Sequence, residues 1–402
     1  MTTAVKGQAD ELDPVLDERR LLTDALRYCV PVFLGLRLLT FVIGLAAVGI
    51  VPPLDPVGVP GWPANPIPDP GWQNLFTAWE RFDALWFLRI ADAGYRPADG
   101  SAAFFPLYPL AVRTVSFVLG GHPFAASILV SNAAFLGALV VTYLLTTSEI
   151  NERAARTTVV LLAFFPTSYF FLMPYSESTF LLLAVTAFWG ARRGRWRLAG
   201  LAGVLAALTR SVGLVLAPAL AIEALHRRAE GRGPAWPGLL AAAATGLGTL
   251  AYLGWWEIRT GDWLTPVTRQ ENWERTFSWP WVSLWNATRS AGRYVGNTNG
   301  GYWIIDWVIV VPVVVLSVWA WKRYRPSYGI YLWGGLLIPL TFVFDDRPLM
   351  SMPRFMLVLF PAFWAGAELA GRSSIPRWAL AAVGAAGLGL LSLLTLNWYY
   401  IF

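Results

Sequence analysis

In FTAWERFDALWFLRIADAGY, residues 76–95, Asp83 shares a stripe of three- and four-residue steps with Phe76, Trp79, Trp86, Phe87 and Ile90. A carboxylate on an otherwise apolar helical face needs a partner, such as a structural arginine, or a chemical task, which makes Asp83 a candidate functional residue. Glu80, Arg81 and Arg89 fall on the more polar side of the same helix, where Glu80 and Asp92 are expected to be solvated. Gly94 offers a left-handed stop before Tyr95. Arg210 interrupts an apolar run from Leu198 to Leu225, so it either snorkels to headgroups or meets an anion there. Arg354, in MPRF (352–355), can pair with Asp345 or Asp346 or serve as a second cation. Glu177, between Ser176 and Ser178, can orient a hydroxyl or pair with Arg210. Asp306, in YWIIDWV (302–308), is an acid in an apolar run without a nearby partner, read as a pocket residue.

Such charges are informative because the rest of the chain is so apolar. Of 402 residues, 56% are hydrophobic and 14% charged, against roughly one-quarter charged in soluble domains. Long apolar runs bounded by arginine clusters are the pattern of a polytopic membrane protein. One cysteine, Cys29, excludes an internal disulfide, and two histidines, His122 and His226, argue against a histidine-built metal site or a Ser-His-Asp triad. The net charge of +6 comes from arginine, with Lys6 and Lys322 the two lysines, and it is distributed between apolar runs as a topology signal. Nucleic-acid binding is a poor second account of it.

Residues 1–28 read as a cytoplasmic tail, with Leu21–Tyr28 a short amphipathic stretch, and 29–402 as one integral membrane domain. The first span is expected at about Val30–Val51, and the eight prolines of 52–75 forbid a spanning helix there. Further apolar segments lie near 123–146, 157–174, 178–190, 198–210, 212–226, 235–256, 303–321, 328–344, 355–370 and 377–396. The total is about eleven crossings. Segment 104–120, with Pro106, Pro109 and Arg113, reads as interfacial or re-entrant, because a full crossing there would invert every later loop. The small-residue run Ala241–Ala244 suits close helix packing.

With the amino terminus inside, the arginine loops at 153–156, 192–197, 227–232, 322–325 and 372–377 all fall on the cytoplasmic side. A first outer loop, 52–122, and a second, 257–302, then face outward, as does the carboxyl terminus. The second loop carries Trp263, Trp273, Trp279, Trp281, Trp285 and Tyr294, read first as interfacial aromatics.

FDALWFLRIADAGY (82–95) followed by AFFPLYPL (103–110) resembles the signature of PIG-V-type mannosyltransferases. FFPTSYFFLMPYSESTFLLL (164–183), LAALTRSVGLVLAP (205–218) and MPRF (352–355) follow in the family's order. Phe82 stands where tryptophan is usual, Trp86 where eukaryotic members often have histidine, and Val212 where asparagine often follows the serine. The resemblance implies an all-α, GT-C-type fold and transfer of mannose from polyprenyl-phosphate-mannose to an acceptor hydroxyl on the outer face. Asp83 is then the base, Arg210 and Arg354 the donor-phosphate cations, and Glu177, Tyr175, Trp86 and Tyr95 the substrate-binding residues. No metal is required on this reading, although scattered acids leave open a divalent ion held with a phosphate. The acceptor is a glycolipid, a lipid-linked glycan or a protein side chain. The Arg-, Ala- and Gly-rich composition points to a bacterial plasma membrane. The competing reading is a lipid or glycolipid transporter or flippase, which predicts an inward path and a symmetric repeat; a scaffold that tolerates Asp83→Asn is the third.

Overall fold

The computed structural model describes residues 14–64, 74–293, 301–344 and 347–400. Tyr294, Asp345 and Asp346, together with residues 1–13 of the expected tail, lie outside them. The chain opens with α1 (Pro14–Ile50), whose 37 residues at about 1.5 Å each reach about 55 Å. Leu21–Tyr28 are therefore turns of one continuous helix and not a separate surface segment. The described residues of the proline-rich stretch, 51–64, contain no helix, and after it come the short α2 (Asn74–Thr77), α3 (Asp83–Ala93) and α4 (Leu107–Val118). The 12 residues of α4 span about 18 Å, too few for a roughly 30 Å hydrocarbon core. Leu110, Phe117 and Val118 are exposed along it, as suits a helix lying against lipid.

The chain continues through α5 (Pro123–Glu149), α6 (Glu152–Ala163), α7 (Glu177–Arg192), α8 (Trp196–Ala207), α9 (Leu216–Ala229) and α10 (Trp236–Thr260). The segment after α10 holds α11 (Thr265–Thr268), β1 (Arg275–Phe277) and α12 (Pro280–Arg293). After it come α13 (Gly301–Arg323), α14 (Pro326–Leu337), β2 (Phe342–Phe344), α15 (Met352–Phe355), α16 (Phe360–Arg372) and α17 (Arg377–Leu396). The two strands pair antiparallel with Arg275 opposite Phe344.

Among the described residues, five helices are long and apolar enough to cross a bilayer: α1, α5, α10, α13 and α17. A sixth crossing results if Met352–Val358 and α16, bent by 81°, count as one. Several of the eleven expected crossings are thus shorter pieces, with 12 residues in α6, 16 in α7, 12 in α8 and 12 in α14. Prolines account for much of this: Pro166 follows α6, Pro174 precedes α7 and Pro339 follows α14. The small-residue run packs as expected, with Gly200 facing Ala241 and Gly203 facing Thr245 across α8 and α10.

One end of the bundle is laced by ion pairs that join arginine loops far apart in sequence. Arg192 bridges Glu149 at 2.5 Å and Glu223 at 2.9 Å, Arg325 bridges Glu223 at 3.1 Å and Glu230 at 2.6 Å, and Arg195 reaches Glu18 at 3.0 Å. The arginine clusters therefore share a face. Helix α7 runs from that face at Arg192 to Glu177, about 22 Å away at its other end.

Candidate active site

Helix α3 starts at Asp83 and not near Phe76, so Phe76 and Trp79 do not share its face. The break is caused by Phe82, which sits at φ 56° with its ring against Trp398 (5.5 Å) and Tyr400 (5.0 Å). That strained backbone is held from both sides. The Arg81 Nε donates to the Leu396 carbonyl at 2.8 Å, its guanidinium lies over Trp398 at 4.7 Å, and the Tyr175 hydroxyl donates to the Arg81 carbonyl at 3.0 Å. Asp83 consequently occupies the first turn of α3, where the helix dipole favours a carboxylate. Gly94 ends the helix at φ 77°, ψ −169°, a conformation open to glycine although not helical-left.

Four of the residues singled out by sequence meet here. Arg354 donates from a terminal nitrogen to Asp83 Oδ2 at 2.6 Å, and its Nε lies 3.3 Å from Glu177 Oε1. The same Glu177 oxygen accepts from Arg210, which also donates to Ser176 Oγ at 3.3 Å. The sequence left Glu177 between orienting a hydroxyl and pairing with Arg210, and the pairing is what forms, with Arg354 as a further partner. Arg354 takes Asp83 as its partner, and its guanidinium is packed over Tyr175 (5.3 Å) and Phe355 (4.9 Å). Glu177 is almost fully buried at 1% side-chain exposure, whereas Asp83 keeps 20%, so Asp83 is the acid that a small molecule can reach.

These groups line a cavity of about 680 Å³ with Phe87, Phe104, Tyr175, Thr209, Ser211, Gln270, Trp273 and Arg275. Arg275 and Gln270 were not singled out by sequence, and Trp273 was one of several loop aromatics read first as interfacial, since nothing in the spacing of 257–302 sets these residues apart from their neighbours. The β1–β2 pairing brings Arg275 in. Among the described residues it has no carboxylate within ion-pair distance, its Nε is buried without a hydrogen-bond partner, and it packs over Phe344 at 4.9 Å. Burial pulls the Arg275 guanidinium below its ordinary range, with Asp83 acting in the opposite sense. Formally the lining carries three guanidinium groups and two carboxylates, and Arg275 is the surplus cation.

Other expected residues lie elsewhere. Trp86 is stacked behind Phe104 at 5.8 Å, off the cavity wall. Tyr95 spends its hydroxyl on the Phe104 carbonyl at 2.8 Å and packs on Tyr252 and Trp256. Asp306 is not a pocket residue: it is fully buried and takes two hydrogen bonds from Arg347, at 2.7 and 2.8 Å. Glu80 is 2% exposed and not solvated, because the chain break at Phe82 turns it inward. Burial pushes its carboxyl up to about 7, against the pull of Arg81, whose own guanidinium burial lowers to about 10. Arg89, also buried, pairs with Asp99 at 2.5 Å, while Asp92 is exposed as expected.

The polar cavity adjoins an apolar groove of about 1110 Å³ between α10, residues 211–214 and 338–342, and Arg210, Ser211, Arg275 and Phe355 are among the residues that line both. Among the described residues no three of His, Cys, Asp or Glu gather as a metal cluster.

Residues 66–230 match the family model of mannosyltransferase (PIG-V), so the resemblance read from the sequence stands over that segment, which holds Asp83, Glu177 and Arg210. No curated protein sequence matches the chain. Among solved structures, ArnT from Cupriavidus metallidurans bound to undecaprenyl phosphate is similar at 14% identity and TM-score 0.48, over 88% of this chain and 62% of that one. Its apo form gives 16% and 0.49 over the same shares. The Archaeoglobus fulgidus oligosaccharyltransferase in complex with Zn and sulfate gives 13% and 0.41, over 91% of this chain and 53% of that one. The chain thus spans about three-fifths of the length of ArnT.

Proposed function

We propose that the chain is an inverting glycosyltransferase that moves mannose from a polyprenyl-phosphate carrier to an acceptor hydroxyl at the outer face of a bacterial plasma membrane. The observation that carries this reading is a pair of adjacent cavities: a charged chamber around Asp83 and an apolar groove beside it, with Arg210 and Arg275 lining both. A sugar phosphate on an isoprenoid tail has that same sequence of chemistries. The match to the mannosyltransferase family model over 66–230 supports the sugar.

In the reaction, Asp83 takes the acceptor's hydroxyl proton as its oxygen attacks the anomeric carbon and the bond to the carrier phosphate breaks. General-base help of this kind contributes about 10²–10⁴ in rate. Arg354 holds one Asp83 oxygen and so fixes the other's aim. The departing phosphate gains negative charge, and guanidinium groups aimed at it from a water-poor site stabilise that charge. Arg275 and Arg210, at the junction of chamber and groove, are the groups for this role.

The test is turnover of polyprenyl-phospho-mannose by the purified protein in lipid. Wild type is expected to release free carrier phosphate, and Asp83→Asn, which keeps the hydrogen bond from Arg354, to lose at least 100-fold of that rate while unfolding at the wild-type temperature. Undiminished turnover in the variant rules out the base assignment, and carrier movement without sugar release identifies a transporter.

A further inference from the structure

At the arginine-rich end of the bundle, far from the chamber, a second pair of cavities meets. The first, about 920 Å³, is an apolar slot between α6, α13, α16 and α17, with Leu161, Leu316 and Phe363 on its walls. The second is polar, holds Arg153, Thr157, Arg377 and Trp378, and shares Ala370, Ile375 and Leu380 with the slot. Arg153 and Arg377 are exposed, and among the described residues neither has a carboxylate within ion-pair distance. They differ in this from Arg192, Arg195, Arg323 and Arg325 on the same face, which are all paired.

The slot opens between two helices that are long and apolar enough to cross the bilayer, α13 and α17. Beside it the segment Met352–Val358 meets α16 at a bend of 81°, and α16 is only 13 residues long. From Arg153 to Ala163 the wall along α6 rises about 15 Å, one leaflet's share of a roughly 30 Å core. Exposed Trp378 and Ile375 flank the junction, where an amphipathic ring marks the headgroup level.

We infer that this is a binding site for an anionic diacyl phospholipid, its phosphate between Arg153 and Arg377 and one acyl chain in the slot. Charge complementarity selects the headgroup: two exposed guanidinium groups at the mouth, with no carboxylate partner among the described residues and with Arg377 beside the Tyr28 hydroxyl, favour a net-negative lipid over a zwitterionic one of the same chains. Near a membrane surface each basic residue is worth enough that two of them give a preference of about tenfold or more. The inference is independent of the transferase reading.

Native mass spectrometry of the detergent-purified protein, with phosphatidylglycerol and phosphatidylcholine of matched chains in competition, tests it. Wild type is expected to retain one phosphatidylglycerol at about tenfold preference, and a photoreactive acyl chain on that lipid to label residues 361–380. The Arg153→Gln/Arg377→Gln variant should retain both lipids equally, and Ala370→Phe, which fills the slot, should retain neither. An absence of preference in wild type, an unchanged preference in the double variant, or displacement of the lipid by millimolar inorganic phosphate overturns the proposal. The wild-type competition and labelling decide it even where a variant does not fold.

Discussion

Arg275 is the guanidinium of the chamber that has no acid partner among the described residues, and an incoming phosphate gains most from a group that no internal partner has to release. Arg275→Gln should therefore raise the KM for a polyprenyl-phosphate donor by about 10–100-fold, with Arg275→Lys recovering part of it, in steady-state assays on protein of unchanged thermal stability. Glu80 gives a pH effect with a definite sign. Its folded carboxyl titrates near 7, above the unfolded value, so between about 4.5 and 7 the native state holds the extra proton. The stability it contributes is complete at the acidic end of that window and is lost as pH rises through 7. Glu80→Gln should flatten that slope in unfolding curves recorded across pH and stabilise the protein at pH 8. The Asp306–Arg347 pair predicts a different outcome: Asp306→Ala leaves a buried guanidinium short of its carboxylate and should cost about 3–5 kcal/mol of stability, read by denaturant unfolding in detergent. At this scale the sequence exposed Asp83, Glu177, Arg210 and Arg354 because each interrupts an apolar run. The Glu177–Arg210 pair was one of two readings the sequence offered, but the pairing of Asp83 with Arg354 was not legible, since they are 271 positions apart.

The elements were legible where the apolar pattern is long and unbroken, as in α5, α10, α13 and α17. They were less so where proline or a strained residue cuts a run, because hydropathy averages across such a cut. Segment 76–95 illustrates the limit: the three- and four-residue steps hold across Phe82, yet the backbone there turns to φ 56° and starts a new helix. The turn is imposed by Trp398 and Tyr400 at the far end of the chain, beyond the reach of any local pattern. The three-residue strands β1 and β2 are equally invisible beforehand, although their pairing is what delivers Arg275. Packing of α8 on α10 was foreshadowed by small residues and makes its own prediction. A Cβ at Gly248 would come within 2.6 Å of the Val204 carbonyl oxygen, on rigid backbone. Gly248→Val should force the two helices apart and cost about 1–3 kcal/mol or more, seen as a lowered unfolding temperature while Gly246→Ala, with open space around it, has little effect.

Taken whole, the molecule has two chemically distinct ends. One is tied by the arginine–glutamate lattice centred on the buried Glu223, and the other holds the chamber around Asp83. The lattice joins α5, α7, α9 and α14, so Glu223→Ala should loosen all four together, with a loss of about 3–5 kcal/mol in a single unfolding transition. Asp92, exposed on α3, belongs to the chamber's end, and Arg232, exposed after α9, to the lattice's end. Cys29, the one thiol of the chain, is fully buried in α1. A maleimide too polar to permeate intact cells will find no native target, which gives the molecule a silent chemical background. A cysteine installed at position 92 should then react from the medium and one at 232 only after lysis, so a single reagent reads out which way up the protein is inserted.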